Sequence, residues 1–479
     1  MNPTIIELLI ALVVVIALAW LILKQYYPQA VLTIAGIILY LSAHWISGVP
    51  IVEKSSGIAI LDVFIKLADI FSYRLGGLGL IIMSVAGFAA YMSHIGAAQA
   101  LVRISVKPVA LVNNPWVVLA LAYLVGIFVS LFVTSATGLG LLLMVTLYPI
   151  MRGAGISKAS AVGVIATTQA FEIGHVQSNL IRAAEAIDMT NVEYFTNYQL
   201  LMAIIMVIAT MFVHVWWQRR CDMKDGWNPR EHMNITEEVN DDNVHIPDAP
   251  NWYAFFPLIP FILMLIFSKL ALGNEQVITW IKGFWAGYPL KPTNMSVVVA
   301  MIVPAFIAMI IHGIRQRNFK EACDGYRIFL EGMGSVFASV VVLIVAAQMF
   351  ADALTDMGAV NAFLEFASGL GIGGIGMMIV STALIVFAAI LMGSGNASFM
   401  SFVEIAPNIA AKFGLPPIVV MLPMQMGSSI GRSMSPISAV IVACAGIAGI
   451  TTTEAVRRTS VPMLSSIILC VIFTIILYG

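Results

Sequence analysis

Four short polar stretches interrupt an otherwise oily chain, and their residue types suit the grip of a small charged solute. Two of them are Thr134-Ser135-Ala136-Thr137-Gly138 and Gly393-Ser394-Gly395-Asn396-Ala397-Ser398. The third runs Thr167-Thr168-Gln169, then Glu172-Ile173-Gly174-His175-Val176-Gln177-Ser178-Asn179. The fourth spans Gln425 to Pro436 and contains Ser428, Ser429, Arg432, Ser433 and Ser435. Small hydroxyls and amides beside glycine can offer oxygens to a cation or donors to a carboxylate, and a helix start presents N–H groups and a positive dipole end to an anion. Arg432 is the strongest single residue, because a guanidinium within a membrane must be paired and its fork matches a carboxylate. Its partner is either a ligand or an internal acid, Glu172 or Glu404. Glu172 and His175 share one face if the helix persists through them, and could then pass protons; otherwise they are a buried pair that positions a break.

The candidate substrate-binding residues are therefore Thr134, Ser135, Thr137, Gly138, Glu172, His175, Ser178, Asn179, Ser394, Gly395, Asn396, Ser398, Gln425, Ser428, Ser429, Arg432, Ser433 and Ser435. No catalytic or metal-ligating residue and no cofactor is expected, apart from a coupling Na+ or H+. His44, His94, His214 and His312 fall near the ends of apolar runs and are expected at the membrane interface.

The setting of these stretches follows from composition. Of 479 residues, 60% are hydrophobic and 10% charged, with a mean hydropathy of +0.96. A soluble domain carries about 25% charged residues, so an ordinary soluble enzyme is excluded, and disorder needs the opposite balance. A net charge of −1 gives no reason to expect nucleic acid as a partner. The four cysteines form no CxxC, HExxH and GxxxxGK[ST] are absent, and Gly393-Ser394-Gly395 lacks the spacing and the strand-turn-helix setting of a nucleophile elbow, which disfavours a membrane-embedded enzyme and a nucleotide-driven pump. The chain is an all-α polytopic membrane protein.

Apolar runs long enough for helices recur near 4–23, 28–47, 76–95, 115–133, 140–151, 159–188, 196–217, 252–271, 296–313, 333–355, 371–392, 399–411, 417–449 and 459–478, several of them too short to cross alone or broken in the middle. The first is too long for a signal peptide. With the N-terminus outside, 15 Lys and Arg fall on the inner face and 8 on the outer, Arg182 among the latter, with Arg432 left in the membrane. Basic residues on both sides of 115–151 then lie inside, so that stretch enters and returns on one side, turning at Thr134–Gly138. The alternative is two plain spans joined by an ordinary turn. Backbone left unpaired at membrane depth is tolerated where it lines a protein or water cavity.

Two halves are expected. Ser93–Ala100 aligns with Thr355–Ala362, and the tip at Ser135 followed by Pro149 parallels the tip at Gly393 followed by Pro407. The first inverted repeat covers 1–217, with an inner-face hairpin at about 115–151 and a broken helix at about 159–188. A polar cytoplasmic linker, 218–250, holds eight acidic and four basic residues. The second inverted repeat covers 251–479, with an outer-face hairpin at about 371–411 and a broken helix at about 417–449. Inverted repeats with broken helices at the midplane are the mark of secondary transporters.

On GFAAYMSHIGA (87–97), SATGLGLLLMVTLYP (135–149), MGSGNASFMSF (392–402), GRSMSPISAV (431–440) and RRTSVP (457–462), the chain resembles the DcuC/DcuD family of anaerobic C4-dicarboxylate carriers, within the ion transporter superfamily. The acid-bearing break TTQAFEIGHVQSN (167–179) stands nearer the DcuD-like branch than the Pro-, Thr- and Ser-rich break of DcuC-type members. The resemblance implies a dimeric, elevator-type carrier of the bacterial inner membrane. It would move fumarate, succinate, malate or aspartate by exchange or ion-coupled symport. The alternatives are a carrier of the same fold for an amino acid or other organic ion, and a passive channel.

Overall fold

The computed structural model describes residues 3–24, 26–112, 114–231, 249–267, 296–359, 362, 365, 369 and 371–479. Most of the linker 218–250, the end of the run 252–271, and Val360 and Asn361 of the sequence repeat lie outside the described residues. Among the described residues every regular element is helical. A helix satisfies its own backbone polar groups, which an apolar surround leaves no other way to satisfy. Among the described residues seven helices are long and apolar enough to cross a membrane: Pro28–Ser47, Ala59–His94, Asn191–Lys224, Val297–Gln316, Cys323–Asp356, Gly374–Met392 and Thr452–Tyr478.

Two expected boundaries move. The run 76–95 is the apolar end of the 36-residue helix Ala59–His94, and 333–355 is the apolar end of a helix that starts at Phe319. Asp62, Lys66 and Asp69 in one, and Lys320, Glu321 and Arg327 in the other, lower the local hydropathy and hide these first turns. The second passes through one π turn at Phe337–Val341, whereas the first is kinked at Leu75–Gly79, where Gly77 leaves the helical region (φ −96°, ψ −105°) and two helices, 59–74 and 80–94, meet end to end.

The elements recur in order. Helices Ala59–His94, Pro115–Ser130, Ala136–Thr146, Lys158–Ile165, Ser178–Ala186 and Asn191–Lys224 are followed, about 260 residues later, by the helix from Phe319 to Asp356 and then Gly374–Met392, Gly395–Phe402, Pro417–Arg432, Ala439–Ala448 and Thr452–Tyr478. Helices 28–47, 59–94, 297–316 and 319–356 pack on one another as a frame. Small residues let them approach closely: a Cβ at Gly87 would lie 2.6 Å from the Phe329 carbonyl oxygen, and one at Gly332 would lie 2.6 Å from Ala90 Cβ.

Helices 115–130, 136–146, 158–165, 178–186 and 191–224, with their counterparts from 374 to 478, form a core against this frame, while helix 3–23 packs chiefly on 28–47 and the segment 251–266 on helices 97–106 and 297–316. The packing of the core is crossed between the two halves. Helix 136–146 lies on 439–448, helix 178–186 touches 395–402, and helix 191–224 runs beside 452–478. The interior of the core is polar at defined places. Arg458, 1% exposed, bonds Asp222 at 2.7 Å and Ser160 at 3.0 Å. Arg182, buried rather than at an outer surface, pairs with Glu404 and with Glu185 at 3.1 Å. His214 is fully buried, hydrogen-bonded to Thr167 at 3.0 Å and Gln218 at 3.3 Å, and His312 is buried against Tyr253. Each of these two histidines stands where one helix face meets another, a placement that distance from a span end does not reveal.

Candidate functional site

Each half of the core carries a helix-turn-helix tip. Asn114 caps helix 115–130 by accepting from the amides of Trp116 and Val117, with Pro115 in the first turn, where its missing N–H costs nothing. The helix ends in tight turns at Leu131 and Phe132, and the chain restarts at Ala136 with Ser135 as N-cap, its Oγ accepting from Gly138 N–H at 3.1 Å. In the second half, Gly393 ends helix 374–392 in the left-handed region (φ +66), and Ser394 Oγ accepts from Ala397 N–H at 3.2 Å. Each cap satisfies one amide of its helix start and leaves the earlier ones without an intrahelical acceptor.

The third polar stretch is a break. Helix 158–165 unwinds through short turns at Thr167, Thr168 and Ala170, and regular helix resumes only at Ser178. Glu172 takes a positive φ of 44°, as does Gly174 at 122°. The helical face proposed for Glu172 and His175 consequently does not exist, since helix does not persist between them. Glu172 faces the site, whereas His175 packs its ring against Phe195 and Phe261, with centroids 6.0 and 5.2 Å away. The break is stitched to its surroundings by amides. Gln169 donates to the Val133 carbonyl at 2.8 Å and Gln177 to Ser130 at 3.1 Å, while Gln199 accepts from Gly174 N–H and donates to the Glu172 carbonyl.

The fourth stretch interrupts the second half in the same way. Helix 417–432 ends at Arg432, turns bond Ser433 to Ser438, and helix restarts at Ala439. Arg432 Nη1 lies 3.4 Å from Glu172 Oε1, and Nη2 donates to the Gln169 carbonyl at 2.9 Å. Of the two acids considered for Arg432, Glu172 is the partner; Glu404 belongs to the Arg182 cluster.

These parts enclose one cavity of about 680 Å³ between core and frame. From the first tip Thr134, Ser135, Thr137 and Gly138 line it, from the second Ser394, Gly395 and Asn396, and from the breaks Glu172, Ser178 and Arg432. The other eight expected residues stand behind or away from this lining. Asn179 donates to Ser428 Oγ at 3.2 Å, and Ser428 donates to the Gln425 carbonyl at 2.7 Å. Ser433 donates to the Ser429 carbonyl at 2.9 Å, Ser398 to that of Gly395 at 3.0 Å, and Ser435 is fully buried in the second break. His175 lies in a separate small hollow with Phe88 and Phe261. Sequence reasoning missed Gln177 and Ser438 in the breaks, although both lay in or next to the polar runs. It also missed Ser335 and Ser339, scattered singly along a frame helix, and Ser93 and Gln99, which stood in the repeat Ser93–Ala100 but were not marked there as site residues.

Among the described residues no cluster of three His, Cys, Asp or Glu could hold a metal. Of the described residues lining the cavity, Arg432 is the one cation and Glu172 the one anion. The arrangement can bind a small polar solute through helix-end amides, one guanidinium and one carboxylate; nothing in it activates a nucleophile.

Comparison with known proteins agrees in kind. A family profile described as DcuC, C4-dicarboxylate anaerobic carrier, matches residues 6–479. A relative from Vibrio cholerae serotype O1, the probable anaerobic C4-dicarboxylate transporter DcuC, is 36% identical over 100% of this chain and 99% of its own length. The anaerobic C4-dicarboxylate transporter DcuC of Escherichia coli K12 is 34% identical, covering 98% of this chain and 96% of its own. Among solved structures, the Alcanivorax borkumensis YdaH transporter aligns with a TM-score of 0.63 at 16% identity, over 94% of this chain and 98% of that one. Neisseria gonorrhoeae MtrF aligns at 0.55 and 13%, over 95% of each. At such identities the structural likeness concerns the fold alone.

Proposed function

The chain belongs to the DcuC family of C4-dicarboxylate anaerobic carriers, multi-pass membrane transporters and not enzymes, and from that premise we propose how this molecule carries a four-carbon diacid. It is a secondary active transporter of the bacterial inner membrane, working by exchange or ion-coupled symport, with Na+ or H+ as the coupling ion. The recurrence of elements about 260 residues apart supports two repeats, 1–217 and 251–479, inverted about the polar linker. The tips are then re-entrant, one from each membrane face, and the breaks meet at the midplane. The single observation that carries this reading is that both tips and both breaks, far apart in sequence, line one cavity with Arg432 in its wall.

The diacid is held by Arg432 and by the amides that begin helices 136–146 and 395–402, with Thr134, Thr137, Ser178 and Asn396 around it. Asn179, Ser428 and Gln425 brace the break from behind. The frame wall of the cavity combines Ala86, Ala89, Ala90, Gly332, Ser335 and Ser339 with Ile82, Val85, Met92, Val336 and Val340. The frame helices contribute no charged side chain to this wall among the described residues, which supports an elevator motion of the core with the frame as the fixed element of a homodimer. The acid at Glu172 supports a position nearer the DcuD-like branch of the family.

The test is counterflow. Purified protein in proteoliposomes preloaded with succinate should take up labelled succinate or fumarate saturably, and imposed proton or sodium gradients should reveal the coupling ion. Flux that is linear in concentration and insensitive to trans substrate would mean a passive pore instead.

A further inference from the structure

The charge balance of the cavity narrows the diacid, an inference that rests on reading this cavity as the substrate site. Arg432 and Glu172 are its only charged side chains among the described residues, and they approach at one distance, 3.4 Å. That exceeds the 2.7–2.9 Å of a strong charge-assisted hydrogen bond, and neither group is used up. Glu172 Oε2 and Arg432 Nε have no hydrogen-bond partner. Glu172 is 5% exposed and lines the cavity from a left-handed backbone that points its side chain away from any helical path. Asn179 and Ser429, both fully buried, flank its carboxylate. Both stand behind the cavity lining and brace that carboxylate from the protein side. The niche lies directly under the second tip, because a Cβ on Gly395 would stand 2.9 Å from Ser429 Oγ.

The Glu172 carboxylate is thus the one anionic acceptor in the cavity wall among the described residues. An ammonium group brings three N–H donors and no acceptor. A whole-site count points the same way. Two helix starts contribute roughly half a positive charge each, Arg432 adds one and Glu172 subtracts one. The complement is a solute of net charge −1. A plain four-carbon diacid carries two negative charges and would leave Glu172 facing a like charge. We propose that Glu172 makes this carrier selective for an amino dicarboxylate, whose ammonium is taken by Glu172, held in place from behind by Asn179 and Ser429, while its carboxylates meet Arg432 and the tip amides.

The experiment uses the full chain in proteoliposomes, with labelled L-aspartate and labelled succinate as probes in parallel and in competition. Wild type should carry aspartate with a kcat/KM at least tenfold above succinate. Glu172→Gln should lower the aspartate value tenfold or more while leaving succinate equal or improved. Ser429→Ala, which keeps both charges, should raise the aspartate KM severalfold without moving that of succinate, and covers the case in which the Glu172 variant does not fold. Succinate preferred by wild type would overturn the inference and leave the C4-dicarboxylate reading standing. Sodium dependence that disappears in Glu172→Gln would also overturn it, since the niche would then hold a metal cation. Transport of neither probe would remove both readings together.

Discussion

Arg432 is held by one backbone carbonyl and by a long contact to Glu172, so much of its fork is free to meet a ligand. A lysine there keeps the charge but offers a point donor in place of two parallel N–H groups. Losing one hydrogen bond to a charged group is worth about 1.5–3 kcal/mol. Arg432→Lys should therefore raise the KM for the diacid by about 10- to 100-fold with normal membrane insertion, as read by counterflow kinetics. An unchanged KM would remove Arg432 from the binding site. At this scale the sequence was informative for a plain reason: a cation amid apolar residues is costly anywhere but at a paired site. It named Asn179, Ser428 and Ser429 as ligand contacts, whereas the structure sets them behind the lining, an outcome that depends on which way a helix end turns.

The caps and close approaches belong to the elements. Ser394 both starts helix 395–402 and satisfies its third amide. Ser394→Ala should cost about 1 kcal/mol and, on the proposed reading that this tip presents amides to solute, slow transport as the tip loses its fixed shape. Thermal unfolding in detergent, measured beside uptake, separates the two effects. Gly431 shows what the breaks require of packing, since a Cβ there would lie 2.6 Å from the Val386 carbonyl oxygen, which is backbone and cannot swing aside. Gly431→Ala should destabilise by about 1–3 kcal/mol, seen as a lower melting temperature whether or not substrate is present. Glycine and serine runs announced both tips and the second break. The first break was legible as polar, but its extent was not. A helix carried through 172–175 would have placed Glu172 and His175 together; the positive φ of Glu172 and the turns from Thr167 to Ala170 separate them.

At the scale of the molecule, frame and core meet through charge as well as through the cavity. Arg74 on the frame bonds Glu185 of the core at 2.8 Å, lies 3.8 Å from Glu404 and also contacts Gln348 of the frame. If the core moves against the frame, this tie must break in each cycle. Arg74→Gln should then change kcat by roughly 2- to 30-fold, the equivalent of about 0.5–2 kcal/mol of coupling, with the KM for the diacid little altered because no ligand contact is lost. A changed KM at constant kcat would mean that Arg74 serves the site and not the motion. The second acid near Arg74, Glu404, was visible in the sequence only as a possible mate for Arg432. Which of three arginines it would choose depended on the placement of helices more than 200 residues apart.

By itself the amino-acid order determined that this is a helical membrane carrier with two matching halves' worth of elements, because the exclusion of charge from lipid and the demands of backbone hydrogen bonding act locally and leave a readable pattern. It also marked ten of the residues that line the cavity, since polar groups in an oily run are their own signal. Only the tertiary structure decided that Glu172 meets Arg432, that Arg182 closes on Glu404, and that serines of the frame complete the wall. Those outcomes are set by crossed packing between the halves, where a side chain's neighbour is chosen by helix rotation and approach distance, quantities that composition and spacing along one chain do not encode.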